Sequence, residues 1–380
     1  MSKKYLLTPG PTPLPPEVLL ACAQPMIHHR TDEFRKIFGE FNEGLKYLFQ
    51  TKNGVVTFAA SGTGAMEASV VNLLSPEDKA IAICGGKFGE RWVELCKAYN
   101  VNVIPIEVEW GKRAEAGEVQ RILAEHKDAK AVFTTLCETS TGVVTDIEAI
   151  GKIVKETDAV LVVDAISGLG AEDLQTDNWN VDCVVAGSQK GMMLPPGLSF
   201  CSLSQKALKA METSKLPKYY LDMKKAKKSL DKTDTAYTPA VSLIVAARES
   251  LRLIKEEGLE NVFKRHKMLA DATRNAVCAL GLGLFSNTFC NVVTAASVPE
   301  GIDGAQLVKL MRKKYGVSIA GGQGHLKGKI IRIAHLGYME PFDIITGISA
   351  LELALSELGY KVELGKGIQA AENVFSNQIK

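Results

Sequence analysis

The chain has 380 residues, of which 46% are apolar and 23% charged, with a formal net charge of +2. That length buries a large core and exceeds one compact domain of usual size, so two domains are expected. So small a charge excludes a global field that would draw the chain to nucleic acid or to an anionic membrane, which leaves a small molecule as the expected partner.

The opening "MSKKYLLTPGPTPLPP" reaches proline and glycine before an apolar stretch of signal-peptide length develops, and no run of about 18 uninterrupted apolar residues follows. No membrane association is therefore expected. Residues 8–16 cannot hold a helix or a central strand, because proline lacks an amide proton and restricts its predecessor. They read as an ordered arm or entrance loop.

An alternation follows. Helix-like segments at 32–50, 62–74, 88–98, 115–126 and 146–156 separate apolar strands at 54–60, 80–84, 101–106, 130–135 and 159–164, with further strands at 182–188 and 198–203. Short valine- and isoleucine-rich runs between amphipathic helices predict an α/β fold with a mostly parallel sheet covered on both faces. The connection "QKGMMLPPG" is too short for a helical crossover, so the last two strands are expected to be antiparallel. The lysine run 224–232 reads as a solvated surface loop. Pro239 opens a long helical pattern, with a hinge expected near Leu259. Residues 260–380 then read as a smaller α+β unit. The expected division is an arm at 1–20, a large domain at 21–259 and a small C-terminal domain at 260–380.

The eight cysteines are scattered without a CxxC pair, and most lie in apolar runs where reduced thiols pack as small hydrophobes. That usage suits a reducing, cytoplasmic setting and gives no expectation of a metal site.

Three features carry chemistry. In "AASGTGAMEA" a strand runs through Ser61, Gly62, Thr63 and Gly64 into a helix, whose free amides and positive dipole end suit an anion. The alternative is an ordinary turn capped by Thr63. Asp164 in "LVVDAISG" is an acid at the carboxyl end of a strand, where a ligand crevice is expected; a helix cap or a magnesium-binding acid are the alternatives. Lys190 in "VVAGSQKGMMLPPG" follows a strand directly. A desolvated lysine there has a lowered pKa and attacks carbonyls, whereas an ordinary loop lysine would be solvated. Together and in this order they match the needs of pyridoxal phosphate: an anion cradle, an acid for the ring nitrogen and an amine for the aldehyde.

Nearly the whole chain resembles the class V aminotransferases of pyridoxal fold type I, and most of all the alanine–glyoxylate, serine–glyoxylate and serine–pyruvate group. The likeness runs through "LLTPGPTPLP", "SGTGAMEA", "GGKFGERW", "CETSTGV", "VVDAISGLG", "AGSQKGMMLPPGL", "YTPAVS" and "GGQGHLKGKIIRIAHLGY". The resemblance implies that Lys190 carries the cofactor, that Asp164 faces the ring nitrogen, and that Thr63, Gly64, Ala65 and Gln189 hold the phosphate. It further implies that Phe88 stacks on the ring, where tryptophan is common, and that Thr139 lies near the ring hydroxyl. Arg332 would bind the substrate carboxylate, and backbone near Gly10 would close over the substrate. Thr238 would reach the phosphate of a neighbouring subunit, which implies a homodimer with shared sites.

Two positions qualify the likeness. Thr235 stands where some animal members have a phosphate-binding tyrosine, and His325, just before the carboxylate arginine, is either a substrate-selecting residue or an exposed loop histidine. A cysteine desulfurase is disfavoured because no cysteine follows Cys290 and Gln189 stands where those enzymes usually have histidine. A phosphoserine or phosphonate transaminase, and a hydrogenase-associated subunit that does not catalyse, are the remaining readings within the family. A nicotinamide-binding protein would show GxGxxG and an acid after the second strand, where this chain has SGTG and Cys84.

Overall fold

A computed structural model describes residues 3–378; the outermost residues of the expected arm and small domain, 1–2 and 379–380, lie outside it. At its centre is a seven-stranded sheet in the order Val55–Phe58, Ser199–Ser202, Cys183–Gly187, Val160–Asp164, Ala131–Thr135, Lys79–Cys84, Asn102–Glu107. The last five pair in parallel. Ser199–Ser202 is antiparallel to both its neighbours, as the short preceding connection requires.

The central strands are buried along their whole length, which is why they read as continuous apolar runs rather than as alternation. Leu161 and Val163 enter one core with the Asp32–Leu48 and Val241–Glu257 helices, while Val160 and Val162 enter the other with Gly62–Leu73 and Lys87–Ala98. This period of two places helices on both faces and leaves the carboxyl ends of the strands as the open edge.

Gly258, with φ +81°, ends the helix Val241–Glu257 and starts the next, Leu259–Ala279. Beyond it, a three-stranded antiparallel sheet of Val293–Ser297, Ile330–Ala334 and Ala320–Gly321 packs under helices Gly304–Lys314, Pro341–Glu357 and Lys366–Gln378. The arm is woven into this unit. Tyr5–Leu6 pairs in parallel with Val317–Ser318, the Leu7 carbonyl accepts from the Ala334 amide at 2.9 Å, and the Leu7 side chain is buried in the C-terminal core.

The lysine run is a correction. It forms the helix Met223–Leu230 rather than a loop, because Asp222 caps its start by accepting from the Lys225 amide at 3.0 Å and Met223 anchors it in the core. Lys227 also pairs with Asp231 one turn on.

Candidate active site

The three sequence features meet at the carboxyl edge of the large sheet. The helix Gly62–Leu73 begins there with Ser61 at its cap position and no side-chain cap bond; the Gly64 amide donates to the Ser61 carbonyl at 2.8 Å, and the amides before it are the ones a helix start leaves for an outside acceptor. Thr63 is the second helical residue and not the cap. Gly187 lies behind this turn: a Cβ on it would sit 3.0 Å from Gln189 Oε1 and 3.3 Å from the Gly62 amide nitrogen. The missing side chain thus lets Gln189 approach the start of the helix, and Gln189 Oε1 is buried there without a hydrogen-bond partner among the described residues.

Asp164 ends the strand Val160–Asp164, with Thr135 and Val185 beside it in register. It is buried and accepts from the Ile166 amide at 2.8 Å. Burial pushes its carboxyl up to about 7; the Ile166 amide, Lys190 and Arg91 oppose that, and Glu138 adds to it. A buried acid so poorly compensated suits a cationic ring nitrogen.

Lys190 follows the strand Cys183–Gly187 and meets the arm. Its Nζ donates to the Pro9 carbonyl oxygen, and its own carbonyl accepts from Thr12 Oγ1 at 3.2 Å. Gly10 has φ +106°, and a Cβ there would lie 2.8 Å from Lys190 Nζ, so no side chain fits between arm and lysine. Burial lowers the Lys190 pKa to about 8, with Asp164 countering and Arg332 and Arg91 adding to the drop. An amine in that range is partly neutral near physiological pH.

Arg332 lies on the C-terminal strand Ile330–Ala334 and links the three-stranded sheet to the segment around Thr139. Its Nε donates to the Gly321 carbonyl at 2.9 Å and its Nη1 to the Thr139 carbonyl at 2.8 Å. Its remaining N–H donors make no hydrogen bond among the described residues. The Thr139 hydroxyl is 2.7 Å from that of Ser167, which in turn donates to the Cys137 carbonyl at 3.2 Å.

Phe88 stands in the first turn of Lys87–Ala98, with the Arg91 guanidinium 5.0 Å over its ring. Glu138 fixes that turn: its carboxylate accepts from the amides of Phe88 at 3.2 Å, Gly89 at 2.9 Å and Ser140 at 3.2 Å. Burial raises the Glu138 pKa, and these bonds pull against the rise. Sequence reasoning missed Glu138, Arg91 and Ser167. An acid inside the Thr- and Ser-rich "CETSTG" was the available signal for the first.

Thr238 is not part of this cluster. It is exposed, in a shallow surface depression with Met26, Ile27, His28 and Pro239. Thr235 lies close by in sequence; its backbone carbonyl accepts from Arg30 at 2.9 Å and its buried hydroxyl has no partner. His325 is exposed in the short helix Gly324–Leu326, with its ring 4.6 Å from that of Trp110. An anion seat, a buried acid and a desolvated amine are what pyridoxal phosphate asks of its protein, and the residues present fit it.

Known proteins agree with this chemistry. The family model "Aminotransferase class-V" matches residues 4–334. A Synechococcus protein named "Soluble hydrogenase, small subunit" is 45% identical, over 98% of this chain and 99% of its own length. The serine–glyoxylate aminotransferase of Methylorubrum extorquens is 35% identical, over 98% of this chain and 96% of its own. Among solved structures, the ureidoglycine–glyoxylate aminotransferase of Bacillus subtilis superposes with a TM-score of 0.95 at 30% identity, covering 99% of each chain. The chain therefore belongs to the class V aminotransferases, a pyridoxal-phosphate-dependent fold whose members work on an amino acid and a 2-oxo acid.

Proposed function

We propose that this protein transfers the amino group of serine or alanine to glyoxylate or pyruvate in two successive half-reactions on one site. The observation that carries the reading is the convergence of a desolvated Lys190, a buried Asp164 and a carboxylate-ready Arg332 at the junction of the two units. The names of the glyoxylate-using relatives support the choice of substrates.

In this reading the first turn Thr63, Gly64 and Ala65, with Gln189, holds the cofactor phosphate. Phe88 covers one face of the ring, Thr139 lies near its hydroxyl, and Thr238 serves the phosphate of a partner subunit in a cytoplasmic homodimer. The bound cofactor supplies an aldehyde that takes up amino groups and a cationic ring that accepts the electron pair released at the substrate Cα. Asp164, as a carboxylate, would hold the ring nitrogen in its protonated form. Lys190 Nζ would hold the cofactor through its aldehyde, and the freed amine would be the base that takes the proton from the substrate Cα. Arg332 grips the substrate carboxylate and fixes which bond faces Lys190. The arm, 1–20, and the small domain, 260–380, meet the large domain, 21–259, around this lysine, with Gly10 beside the substrate.

The test is a single-turnover panel on the purified holoenzyme. Serine or alanine bleaches the visible band of the bound aldehyde, glyoxylate or pyruvate restores it, and Lys190→Ala removes both the band and steady-state turnover. Turnover retained by Lys190→Ala would refute the assignment. The hydrogenase-subunit name of a 45% identical relative motivates the second reading, a protein that binds the cofactor without transaminating. It predicts a visible band that no amino acid bleaches.

A further inference from the structure

Phe88 and Arg91 lie three residues apart on one helix and therefore share a face. While the guanidinium covers the Phe88 ring, its Nη1 reaches across to Thr63 Oγ1 at 3.3 Å. The acids of its own helix do not neutralise it: Glu90 and Glu94 pair with Lys87, at 3.0 and 3.2 Å. Arg91 is thus without a carboxylate partner among the described residues. It stands at the uncapped start of Gly62–Leu73, where the helix dipole adds to its charge.

A threonine hydroxyl has one proton to give and two lone pairs to receive with. The Arg91 N–H occupies a lone pair of Thr63, so the Thr63 proton is free to be donated to an anion at the helix start. Without Arg91 the hydroxyl would rotate freely, and the anion would lose a nearby full positive charge.

We propose that Arg91 is a positioning residue for the cofactor phosphate: it orients the Thr63 hydroxyl as a donor and supplies the cationic charge that a dianionic phosphate needs at this seat. The Phe88 ring serves as the tether that holds the guanidinium in place. The inference rests on the reading of Thr63, Gly64 and Ala65 as the phosphate seat and adds a member that neither motif nor family name identifies.

The experiment compares equilibrium binding of pyridoxal 5′-phosphate and of phosphate-free pyridoxal to the cofactor-free protein, in wild type, Arg91→Gln and Thr63→Ala. Arg91→Gln is expected to weaken pyridoxal phosphate on the order of tenfold, as loss of one charge-assisted contact does, and to leave pyridoxal unchanged. Inorganic phosphate then competes less well against the cofactor in the variant. Equal weakening of both ligands makes Arg91 a mere support of the ring and overturns the proposal. Unchanged cofactor binding in Arg91→Gln beside a loss in Thr63→Ala overturns it too, while leaving the phosphate seat intact. If neither variant moves the phosphate-dependent part, the seat itself lies elsewhere and both readings fall. Pyridoxal binding reports folding in each variant; should Arg91→Gln not fold, Arg91→Lys carries the same comparison, with a smaller but still phosphate-specific loss.

Discussion

Lys190 Nζ donates to the carbonyl oxygen of Pro9, so among the described residues this buried amine is held by the backbone of the arm and not by a side chain. A backbone carbonyl gives the amine a neutral partner. It therefore compensates the buried charge less than a carboxylate would, and the lysine remains low in pKa.

Arg332 carries the clearest prediction for catalysis. With Nε and Nη1 anchored on the Gly321 and Thr139 carbonyls, the guanidinium is oriented before substrate arrives. Arg332→Ala removes a charge-assisted pair worth roughly 1.5–3 kcal/mol, so KM for the amino acid should rise about 10- to 150-fold. Cofactor content, read from the visible spectrum, should stay at the wild-type level. A variant that loses cofactor and keeps KM contradicts the carboxylate role.

Asp164 predicts a pH dependence in the cofactor-free protein. Its carboxyl stands at about 7 in the fold against an ordinary value of 3.8. Between those limits the folded chain keeps a proton that the unfolded chain has released, so this group's contribution to stability falls as pH rises and is at its worst above about 7. Asp164→Asn removes that cost. Denaturant unfolding of the cofactor-free variant should show a gain over wild type that grows from about pH 4 to about pH 7 and reaches roughly 1–3 kcal/mol. A gain independent of pH rules out the raised pKa as its source.

Glu138 faces only donors: the amides of Phe88, Gly89 and Ser140, and the Ser140 hydroxyl. Glu138→Gln turns one acceptor into a donor in that ring and should cost roughly 1–3 kcal/mol in unfolding free energy. Because Phe88 begins the turn that Glu138 caps, the visible band of the bound cofactor should also shift. An unaltered melting temperature refutes the capping role.

The surface around Thr238 predicts a dimer. Met26, 70% exposed, lines the depression with Thr238 and Pro239, and Tyr219, 75% exposed, lies with its ring 6.0 Å from that of Tyr237 beside them, so apolar surface is displayed around Thr238. Sedimentation should give the mass of two 41.1-kDa chains, and Met26→Glu should shift the equilibrium toward one chain and weaken cofactor retention. A wild type that sediments as a single chain contradicts the shared-site reading.

The parallel sheet was legible because its strands are buried on both faces and so spell continuous apolar runs, and Asp164 and Lys190 stood out as candidates because one ends such a run and the other follows one within three residues. Arg91 was not, since a helix arginine beside Glu90 and Glu94 looks like one more solvated ion pair until the fold gives those acids to Lys87. Lys224–Lys228 misled for a related reason: charge suggested a loop, while the cap at Asp222 and the anchor at Met223 made a helix. Pro9's role depends on backbone geometry across the whole chain, which no local pattern encodes.

The pairing of Tyr5 with Val317 and of Leu7 with Ala334 has a consequence for how the protein is made. A ribosome releases the first of each pair long before the second, so the leading segment waits unpaired while the large sheet collapses, and takes its place only when the last strands emerge. Lys190, which the arm covers in the finished fold, is thus left uncovered until the closing act of folding.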